Sequence, residues 1–563
     1  MRGGRLRGAR ATALAGVAGS LVGTLVAALV ATGAAAQGAD PLPAGQIIDG
    51  VAPVGPSNTR IDPVDGLPLV VHRPDPVQTR QPVLRPNVEG PAADFLRRRA
   101  SRGWAAGMSG FVYDNRDRGH STLQMHRMPQ LAATQYAPVY RERGLDYGVA
   151  GALRFEMPVI GNSSTALTRG PFARSQARIA ANGQAAAMRA FRLHETNHFY
   201  VYPEHRDHDP GTGDRFPANA PFLMVSQGSS GSDRPIVEAA ALTLAALRPD
   251  TFAAAREAGL IAPTLQMLLR QNRPQAVAAE DYMTGPAHPT AFPGASFDTA
   301  ALVRAANALM PGDLPPLVRL RVVRDFAARP GIDYPDPAAS ERLFTTPVAV
   351  ARAWRSHAHS REIVLDAGDT VDPNGRALEF DWVVLRGDPG KIAITHAEDD
   401  PARVRARIAI DWHDAYPVPG RNDLETARID IGVFARNGAT ISAPSILSVV
   451  FPVHQARRYA PGPGGRMRLA EVSYRRPDRG TGFGGGYVDP ALWATGDWTD
   501  SYDWPEGGGF ATVTRRYADG SARQLQEGLR GLTDAATGAP VIHARGTDGR
   551  DRPVLRDDRV AGP

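Results

Sequence analysis

The chain of 563 residues contains no cysteine, and this absence removes several kinds of chemistry. Disulfide bonds, thiolate nucleophiles, cysteine-ligated zinc, iron–sulfur clusters and covalently attached haem all require that side chain. Any bound metal ion would need histidine, aspartate or glutamate. Lysine is nearly absent too, since Lys391 is the only one. The positive charges are arginines scattered among acidic residues, which is typical of a solvated surface and argues against a nucleic-acid partner.

A long apolar run occurs only at the N-terminus. Residues 1–10 contain four arginines, an apolar stretch follows over 11–31, and Ala34-Ala35-Ala36 precedes Gln37. We expect residues 1–36 to be a secretory signal peptide, with an uncleaved anchor as the alternative. Removing four arginines lowers the formal charge from +6 to about +2. The sequence thus predicts a secreted, periplasmic or cell-surface protein with no transmembrane span after cleavage.

The length of the chain predicts several domains, because one hydrophobic core rarely spans so many residues. Residues 37–103 are rich in proline and glycine, which is typical of a linker or arm. Residues 104–335 are expected to form a helix-rich α/β or α+β domain that carries the catalytic or binding site. Its helices are predicted over 235–247, 250–260, 262–271, 297–310 and 316–328.

After about residue 345 the apolar period changes to two, which predicts an all-β sandwich over 345–455. Strands are expected over 348–354, 362–365, 378–385, 403–410, 427–434 and 446–453. The segment 365–382, with a turn at Asp372-Pro373-Asn374-Gly375, resembles the start of a PKD-like, immunoglobulin-type domain. That resemblance implies that Trp382 packs across the sandwich and that the domain is a spacer or adhesive module.

Residues 456–563 are expected to form a small β-rich region, with hairpin strands over 468–474 and 511–517. This tail contains Trp493, Trp498 and Trp504. Exposed rings could stack on sugars, but in so small a unit they more often form the core, which is the interpretation we favour.

The densest group of histidines opens with an H-E-x-x-H motif at 194–198. Residues 184–199 lack proline and glycine and predict a helix, on which His194 and His198 would lie one turn apart. In a zinc hydrolase these rings bind the metal and Glu195 polarises the attacking water. Glu238, in an otherwise apolar helix, is the candidate third ligand, although an arginine partner would explain it equally. Zinc or calcium is therefore a candidate cofactor, and no organic cofactor is indicated.

A second arrangement uses the segment that follows the motif. Glu204, His205, Asp207, His208 and Asp209 lie within six residues. Such a group could hold a divalent ion or supply an acid–base pair. The alternative is an ordinary polar surface loop.

A third arrangement is the serine- and glycine-rich stretch 226–233, between an apolar strand and the helix with Glu238. It resembles a nucleophile elbow with Ser229 as the nucleophile, although Gln227 stands where the motif requires glycine. It could equally bind an anion at the start of the helix, with Asp233 as the cap.

Two further polar turns, 114–121 and 161–165, follow apolar segments and could line the same pocket, or could be plain surface loops. Arg116, Arg118, His120 and Asn162 of these turns are candidate substrate-binding residues, together with Glu204 and Asp233 of the second and third arrangements.

The stretches GNSSTA (161–166), YPEHRDHD (202–209) and SQGSSGSDRP (226–235) resemble an uncharacterised family of exported bacterial proteins with a C-terminal PKD-like domain. The resemblance spans most of residues 110–455 and implies no particular activity. It is closer at 202–209 and 226–234 than at His194 and Glu195, which favours the second arrangement over the zinc motif.

Together these patterns predict an exported hydrolase that acts on an extracellular or envelope polymer, either glycan or peptide. Catalysis would be metal-assisted or would use histidine and carboxylate acid–base chemistry, with Glu195, His205, Asp207 and His208 handling protons. The alternative is a non-catalytic cell-envelope or glycan-binding protein with a PKD-like spacer.

Overall fold

A computed structural model describes residues 45–148, 153–163, 183–205, 207–210, 213–294, 297–326, 340–474, 496–507, 509–528, 531–541, 543–547 and 553–557. The chain divides into two units, Met1–Pro43 and Ala44–Pro563. The first unit, with the predicted signal peptide, lies outside the described residues, and so does Trp493. The fold described below is that of the second unit.

The first half of this unit alternates strands and helices. Its strands are β1 (Gly45–Gln46), β2 (Val51–Val54), β3 (Thr59–Ile61), β4 (Pro68–Val70), β5 (His72–Arg73), β6 (Val112–Arg116), β7 (Ala132–Tyr136), β8 (Arg154–Phe155), β9 (Val159–Ser163), β10 (His198–Pro203), β11 (His208–Asp209), β12 (Gly213–Asp214) and β13 (Met224–Ser226). Its helices are α1 (Pro91–Ala100), α2 (Pro138–Glu142), α3 (Gln184–Glu195), α4 (Arg234–Ala246), α5 (Pro249–Glu257), α6 (Ile261–Gln271), α7 (Ala279–Tyr282) and α8 (Thr299–Ala308).

A six-stranded sheet in the order β13-β10-β9-β6-β7-β2 is the frame of this half, and all its neighbouring strands are parallel. One face packs on apolar residues of α1, α4, α6 and α8, and the other packs on α3 and on part of the second half. This is an α/β arrangement. Because all six strands run the same way, their carboxyl ends meet at one edge, where α/β proteins commonly bind ligands.

The second half begins with a β-sandwich. Its strands are β14 (Arg321–Arg324), β15 (Arg342–Thr346), β16 (Ala349–Ala353), β17 (Ser360–Asp366), β18 (Glu379–Arg386), β19 (Ile392–Thr395), β20 (Arg405–Asp411), β21 (Tyr416–Val418), β22 (Arg421–Thr426), β23 (Arg428–Arg436) and β24 (Ser445–Val450). Two sheets, β14-β17-β20-β19 and β15-β16-β24-β23-β18, share one apolar core, and β21 and β22 form a separate hairpin.

The predicted strands of the sandwich are confirmed as β16, β17, β18, β20, β23 and β24. Trp382 is 9% exposed and belongs to the sandwich core, and its Nε1 donates to the Arg403 carbonyl oxygen at 2.8 Å. Strands β17, β18 and β20 bury one face, so alternation of apolar and polar residues predicts them, whereas β16, β23 and β24 are buried on both faces. Membership of the PKD family stays a prediction.

The C-terminal region is an antiparallel sheet in the order β25-β26-β27-β28-β29-β30, followed by a hairpin of β31 and β32. The strands are β25 (Ala456–Pro461), β26 (Met467–Ser473), β27 (Trp498–Asp503), β28 (Thr512–Tyr517), β29 (Ala522–Gly528), β30 (Gly531–Asp534), β31 (His543–Thr547) and β32 (Pro553–Asp557). Trp498 is fully buried, which confirms the core interpretation for that ring, and Trp504 Nε1 donates to the Leu469 carbonyl oxygen at 2.6 Å.

Two segments differ from their predicted structure. The expected linker or arm is part of the fold from residue 45 onward, since β2 is the edge strand of the parallel sheet and α1 packs on α4 and α8. The predicted helix over 316–328 is wrong, because residues 321–324 form β14, which pairs with β17. Its adjacent valines, Val322 and Val323, are β-branched and favour a strand. None of the described helices combines the length and the apolar composition that crossing a membrane requires.

A buried carboxylate ties three strands of the parallel sheet together. Asp114 and Arg116, both on β6, are fully buried, and Arg116 Nε donates to Asp114 Oδ2 at 2.7 Å. The same carboxylate accepts hydrogen bonds from Thr134 at 2.6 Å, from Tyr136 at 3.1 Å and from Tyr200 at 2.6 Å. Since Thr134 and Tyr136 lie on β7 and Tyr200 lies on β10, this group fixes the middle of the sheet.

We predict that Asp114→Asn lowers the free energy of unfolding by about 3–5 kcal/mol, because it leaves the Arg116 charge buried without a counter-charge. Urea denaturation of the full chain measures this. The control is Asp94→Asn, which removes an exposed ion pair with Arg97 and should cost less than about 1 kcal/mol. Equally small losses in the two variants would contradict the structural role of Asp114.

Candidate functional site

The H-E-x-x-H motif does not lie on one helix. Helix α3 ends at Glu195, Asn197 has a φ of 67°, and His198 is the first residue of β10. The run from His198 to Tyr202 consists largely of aromatic and β-branched residues, which favour a strand, and it pairs with β9 and β13. The predicted helix is therefore wrong at its C-terminal end, and the two histidines do not share a helix face.

Both histidines of the motif are buried and neutral. Burial, assisted by the charge of Arg270 for His194 and of Arg116 for His198, lowers each pKa to about 3. His198 Nε2 accepts the Phe155 amide at 2.9 Å, so its Nδ1 carries the proton and donates to the Thr196 carbonyl oxygen at 2.6 Å. Both ring nitrogens are thus occupied, and His198 has no lone pair left for a metal ion.

The two acidic residues of the zinc hypothesis pair with arginines. Glu195 Oε2 lies 3.2 Å from Arg319 Nη2, and Glu238 Oε1 lies 3.8 Å from Arg127 Nη1. The Glu195 side chain is 28% exposed and the Glu238 side chain is 35% exposed. The arginine alternative for Glu238 is therefore confirmed. Within the described ranges, no group of three or more histidine, aspartate or glutamate side chains is placed to hold a metal ion. The zinc geometry expected of His194, Glu195, His198 and Glu238 is not formed.

The carboxyl edge of the sheet brings the second and third arrangements together. Glu204 directly follows β10, and residues 226–233, here named the edge loop, begin at the end of β13. Glu204 is buried, and its Oε1 accepts the Gly228 amide at 2.8 Å while its Oε2 accepts the His208 amide at 3.2 Å. Its own amide donates to the Ser226 carbonyl oxygen at 3.0 Å, and the His205 amide donates to the Gly228 carbonyl oxygen at 3.1 Å.

Glu204 is a carboxyl group that titrates near neutral pH. Burial raises its pKa to about 7 against the opposing hydrogen bond from Gly228, and the negative charge of Asp207 adds to the rise. Asp207 is itself buried and donates its amide to the Glu204 carbonyl oxygen at 3.2 Å. A carboxyl group with such a pKa can both give and take a proton at neutral pH.

Asp233 places a second buried carboxyl group on the edge loop. It stands at the N-cap position of α4, but its side chain makes no capping hydrogen bond, so the predicted cap is wrong. Instead its Oδ1 accepts the Gly231 amide at 3.3 Å, whereas Oδ2 is buried without a hydrogen-bond partner. Burial raises the pKa of Asp233, and neighbouring Ser121 and Asn162 oppose that rise.

Strands β6 and β9 complete this edge. Asn162, on β9, accepts the Tyr113 hydroxyl at 2.7 Å through Oδ1 and donates to the His120 carbonyl oxygen at 3.0 Å. Ser121 Oγ accepts the Gly231 amide at 2.7 Å. The ends of four adjacent strands therefore converge on the edge loop, with Glu204 bound near its start and Asp233 at its end.

His208 is buried beside this edge, and neither ring nitrogen has a hydrogen-bond partner. Burial lowers its pKa to about 4; Asp214 opposes this, whereas Arg386, Arg421 and Arg428 reinforce it. The ring packs against Phe216 with the centroids 6.4 Å apart. His208 is therefore neutral at neutral pH and does not suit the predicted role of proton carrier. Glu204, with a pKa of about 7, suits that role better.

The sandwich contacts this edge directly. Asp214, on β12, pairs with Arg386 and, at 3.2 Å, with Arg428. Arg421, on the β21–β22 hairpin, donates through Nη1 to Gln227 Oε1 of the edge loop at 3.4 Å. Side chains of the sandwich therefore reach the edge loop, and the spacer or adhesive role implied by the resemblance stays a prediction.

The remaining predicted residues lie apart from the two carboxyl groups or contribute only backbone. Ser229 is exposed, and within the described part of the chain its hydroxyl bonds no histidine or carboxylate that could activate it. Arg116, the last residue of β6, is fully buried. Arg118 Cζ lies 4.6 Å from the centroid of the Tyr147 ring. His120 is exposed and supplies its carbonyl oxygen.

Sequence reasoning included Ser121 in one of its two polar turns but missed Tyr113, Asp214 and Arg421 as parts of this edge. Tyr113 carried a usable signal, because it ends an apolar run just before a polar cluster, as residues at strand ends do. Arg421 carried none, since its partner Gln227 is 194 positions away.

We predict that His208→Asn weakens the loss of stability on acidification. The pKa of His208 is below its usual value, so between about pH 6.5 and pH 4 the unfolded chain binds the proton that the folded chain does not. The wild-type free energy of unfolding therefore falls by up to about 1.4 kcal/mol per pH unit in that window from this group alone. Urea denaturation at intervals from pH 4 to pH 7 measures this dependence of the free energy of unfolding on pH.

The matched control is His120→Asn at an exposed site, which should keep the wild-type dependence on pH. An unchanged dependence in His208→Asn would refute the assignment.

Comparison with known proteins gives little further information. No family model and no curated protein matches the chain. Among solved structures, one match is a nucleoside hydrolase-related hypothetical protein from Saccharophagus degradans that is associated with carbohydrate metabolism. The two chains share 10% identity over 52% of this chain and 71% of the other, with a TM-score of 0.17. A TM-score this low assigns neither a fold nor a function to the present chain.

Proposed function

We propose that this protein is an exported hydrolase that acts on an extracellular or envelope polymer by carboxyl acid–base catalysis, with Glu204 as the proton-transfer group. One observation carries the proposal. A buried carboxyl group whose pKa is raised to about 7 stands at the carboxyl edge of a parallel sheet, beside a loop that holds a second buried carboxyl group. Perturbed carboxyl groups at such an edge are typical of acid–base catalysts.

The two carboxyl groups suit different steps of hydrolysis. Protonated Glu204 donates its proton to the leaving group, and the resulting carboxylate is stabilised by the Gly228 amide. Asp233 is fully buried, so it acts on the attacking water through the neighbouring hydroxyl of Ser121, which is only partly buried. Burial raises the pKa of both groups, and each is also hydrogen-bonded to an amide of the edge loop.

The groups around the edge favour a glycan over a peptide as the polymer. Accessible hydroxyl groups line this edge and can bond sugar hydroxyls; they belong to Ser121, Ser229 and Ser230. Polar groups that converge in this way fix the orientation of a hydroxyl-rich ligand.

Export is proposed from the N-terminal 36 residues and is tested by N-terminal sequencing of the mature protein. Recovery of a chain that begins near Gln37 supports cleavage, and an intact N-terminus in the membrane fraction supports the anchor.

Metal assistance is the other version of the proposal, with zinc or calcium as the ion. The acid–base version relies on Glu204, Asp233 and Ser121 alone, so we expect a chelator to leave the activity unchanged. Loss of activity on chelation, with recovery on added zinc or calcium, would support the metal-assisted version instead.

We predict that Glu204→Gln lowers the rate of polymer hydrolysis by about 10²–10⁴-fold, because glutamine cannot transfer a proton. A panel of soluble glycans and peptides identifies the substrate with wild-type protein, and the variant is then assayed on that substrate. Glu257→Gln, an exposed change on α5, is the matched control and should keep full activity. Wild-type activity in Glu204→Gln would refute the proposal.

We predict that Asp207→Asn shifts the limb of the pH–rate profile that Glu204 controls toward lower pH. Asp207 contributes a negative charge that raises the pKa of Glu204, so a neutral residue lowers that pKa toward its usual value. A profile of kcat/KM from pH 4 to pH 9 measures the shift. An unshifted profile would show that Glu204 is not the titrating group.

A further inference from the structure

A cavity lies at the amino edge of the parallel sheet, opposite the carboxyl-edge site. Its volume is about 380 Å³, and it is bounded by Gly50, just before β2, and by Leu131, just before β7. Val77, Met125 and Met128 add apolar surface. The size falls in the range of small-molecule sites, and none of the groups of the carboxyl-edge site contributes to it.

A tight turn places a carboxylate in the wall of this cavity. Asp49 and Gly50 have φ values of 50° and 75°, and the amides and carbonyl oxygens of Ile48 and Val51 are hydrogen-bonded to each other at 2.9 and 3.1 Å. This is a two-residue hairpin with both central residues in the left-handed region, for which Asp-Gly is a preferred sequence. The turn fixes the Asp49 backbone beside the cavity.

Gln78 supplies a polar group with an unmet hydrogen bond. It begins a short 3-10 helix, is 6% exposed and lines the cavity, and its Nε2 is buried without a partner. A buried donor without an acceptor costs about 1–3 kcal/mol, so such groups commonly mark a place where a ligand or water supplies the acceptor.

The charged groups of the cavity have both signs but are not paired. Asp49, Asp75 and Arg85 line it together, yet within the described part of the chain none of them makes an ion pair. Asp75 uses Oδ1 to accept the Val77 amide at 2.8 Å and keeps Oδ2 available. Opposite charges that share a cavity without neutralising each other suit a ligand that carries both charges itself.

We propose that this cavity binds a short zwitterionic peptide, of two or three residues. The carboxylates of Asp49 and Asp75 receive its ammonium group and Arg85 receives its carboxylate. Gln78 Nε2 donates to a peptide carbonyl oxygen between them, and Met125, Met128 and Leu131 contact an apolar side chain. This site is independent of the proposed hydrolase activity.

Isothermal titration calorimetry of the full chain with alanyl-leucine tests the proposal. We expect saturable binding that weakens at least tenfold when the dipeptide is N-acetylated or when its carboxylate is converted to an amide. Asp49→Asn should weaken binding of the parent dipeptide and reduce the penalty of N-acetylation. Arg85→Gln should likewise reduce the penalty of amidation. Asp94→Asn, a matched exposed change on α1, should bind as the wild type does.

Three results would overturn the proposal. The first is the absence of binding heat with alanyl-leucine in wild-type protein whose circular dichroism shows it to be folded. The second is wild-type affinity in both Asp49→Asn and Arg85→Gln. The third is equally tight binding of glucosamine, which has an ammonium group but no carboxylate and would indicate an amino-sugar site. None of these results bears on Glu204, so failure here leaves the proposed function standing.

Discussion

The buried carboxylate of Asp214 fixes the α/β half of the protein to the sandwich. It lies between the guanidinium groups of Arg386 and Arg428, and these two arginines also contact Asp430. Burial raises the pKa of Asp214, but the charges of Arg428 and Arg386 outweigh burial and lower it to about 2. Removal of one member from such a group leaves a buried charge uncompensated and costs about 3–5 kcal/mol. The two halves are therefore held in one arrangement, and the segment that contains β11 and β12 is held between them.

This constraint explains the electrostatics of the candidate site. Asp207 and His208 precede Asp214 on the same short segment, so fixing Asp214 also fixes the charge that raises the pKa of Glu204. The arginines that neutralise Asp214 oppose a positive charge on His208, and burial does the same. Two titratable groups four positions apart are thus shifted in opposite senses, so that near neutral pH Glu204 exchanges a proton and His208 does not.

The sequence predicts those parts of the fold that local patterns determine. Short segments rich in apolar residues predict the sandwich strands. Apolar content also predicts α4 and α6, because Pro235 and Pro263 stand in the first turn of their helices, where proline is tolerated. The motif at 194–198 does not lie on one helix. Its spacing permits a helix, but the largely aromatic composition from His198 to Tyr202 favours a strand, and pairing with β9 and β13 places this run in the middle of the sheet.

The site could be predicted only in part. Glu204 and Asp233 can be suspected from the crowding of polar residues around them, but their roles depend on partners that the fold supplies. Glu204 acquires its raised pKa from burial, against the hydrogen bond from Gly228, 24 positions away, and Asp214 acquires its low pKa from Arg428 and Arg386, which are 214 and 172 positions away. Charges that meet across such separations leave no periodic signal in the sequence, because each residue taken alone resembles solvated surface.

The parallel sheet also determines whether binding in the amino-edge cavity can affect the carboxyl-edge site. Strand β7 begins beside the amino-edge cavity, and it contains Thr134 and Tyr136, which donate to Asp114. Energetic coupling between distant sites requires an element with two alternative arrangements. The Asp114 carboxylate already accepts hydrogen bonds from Arg116, Thr134, Tyr136 and Tyr200, so a shift of β7 would break buried bonds without forming others. These hydrogen bonds oppose a shift of β7, so we expect occupation of the amino-edge cavity to leave the carboxyl-edge site unchanged.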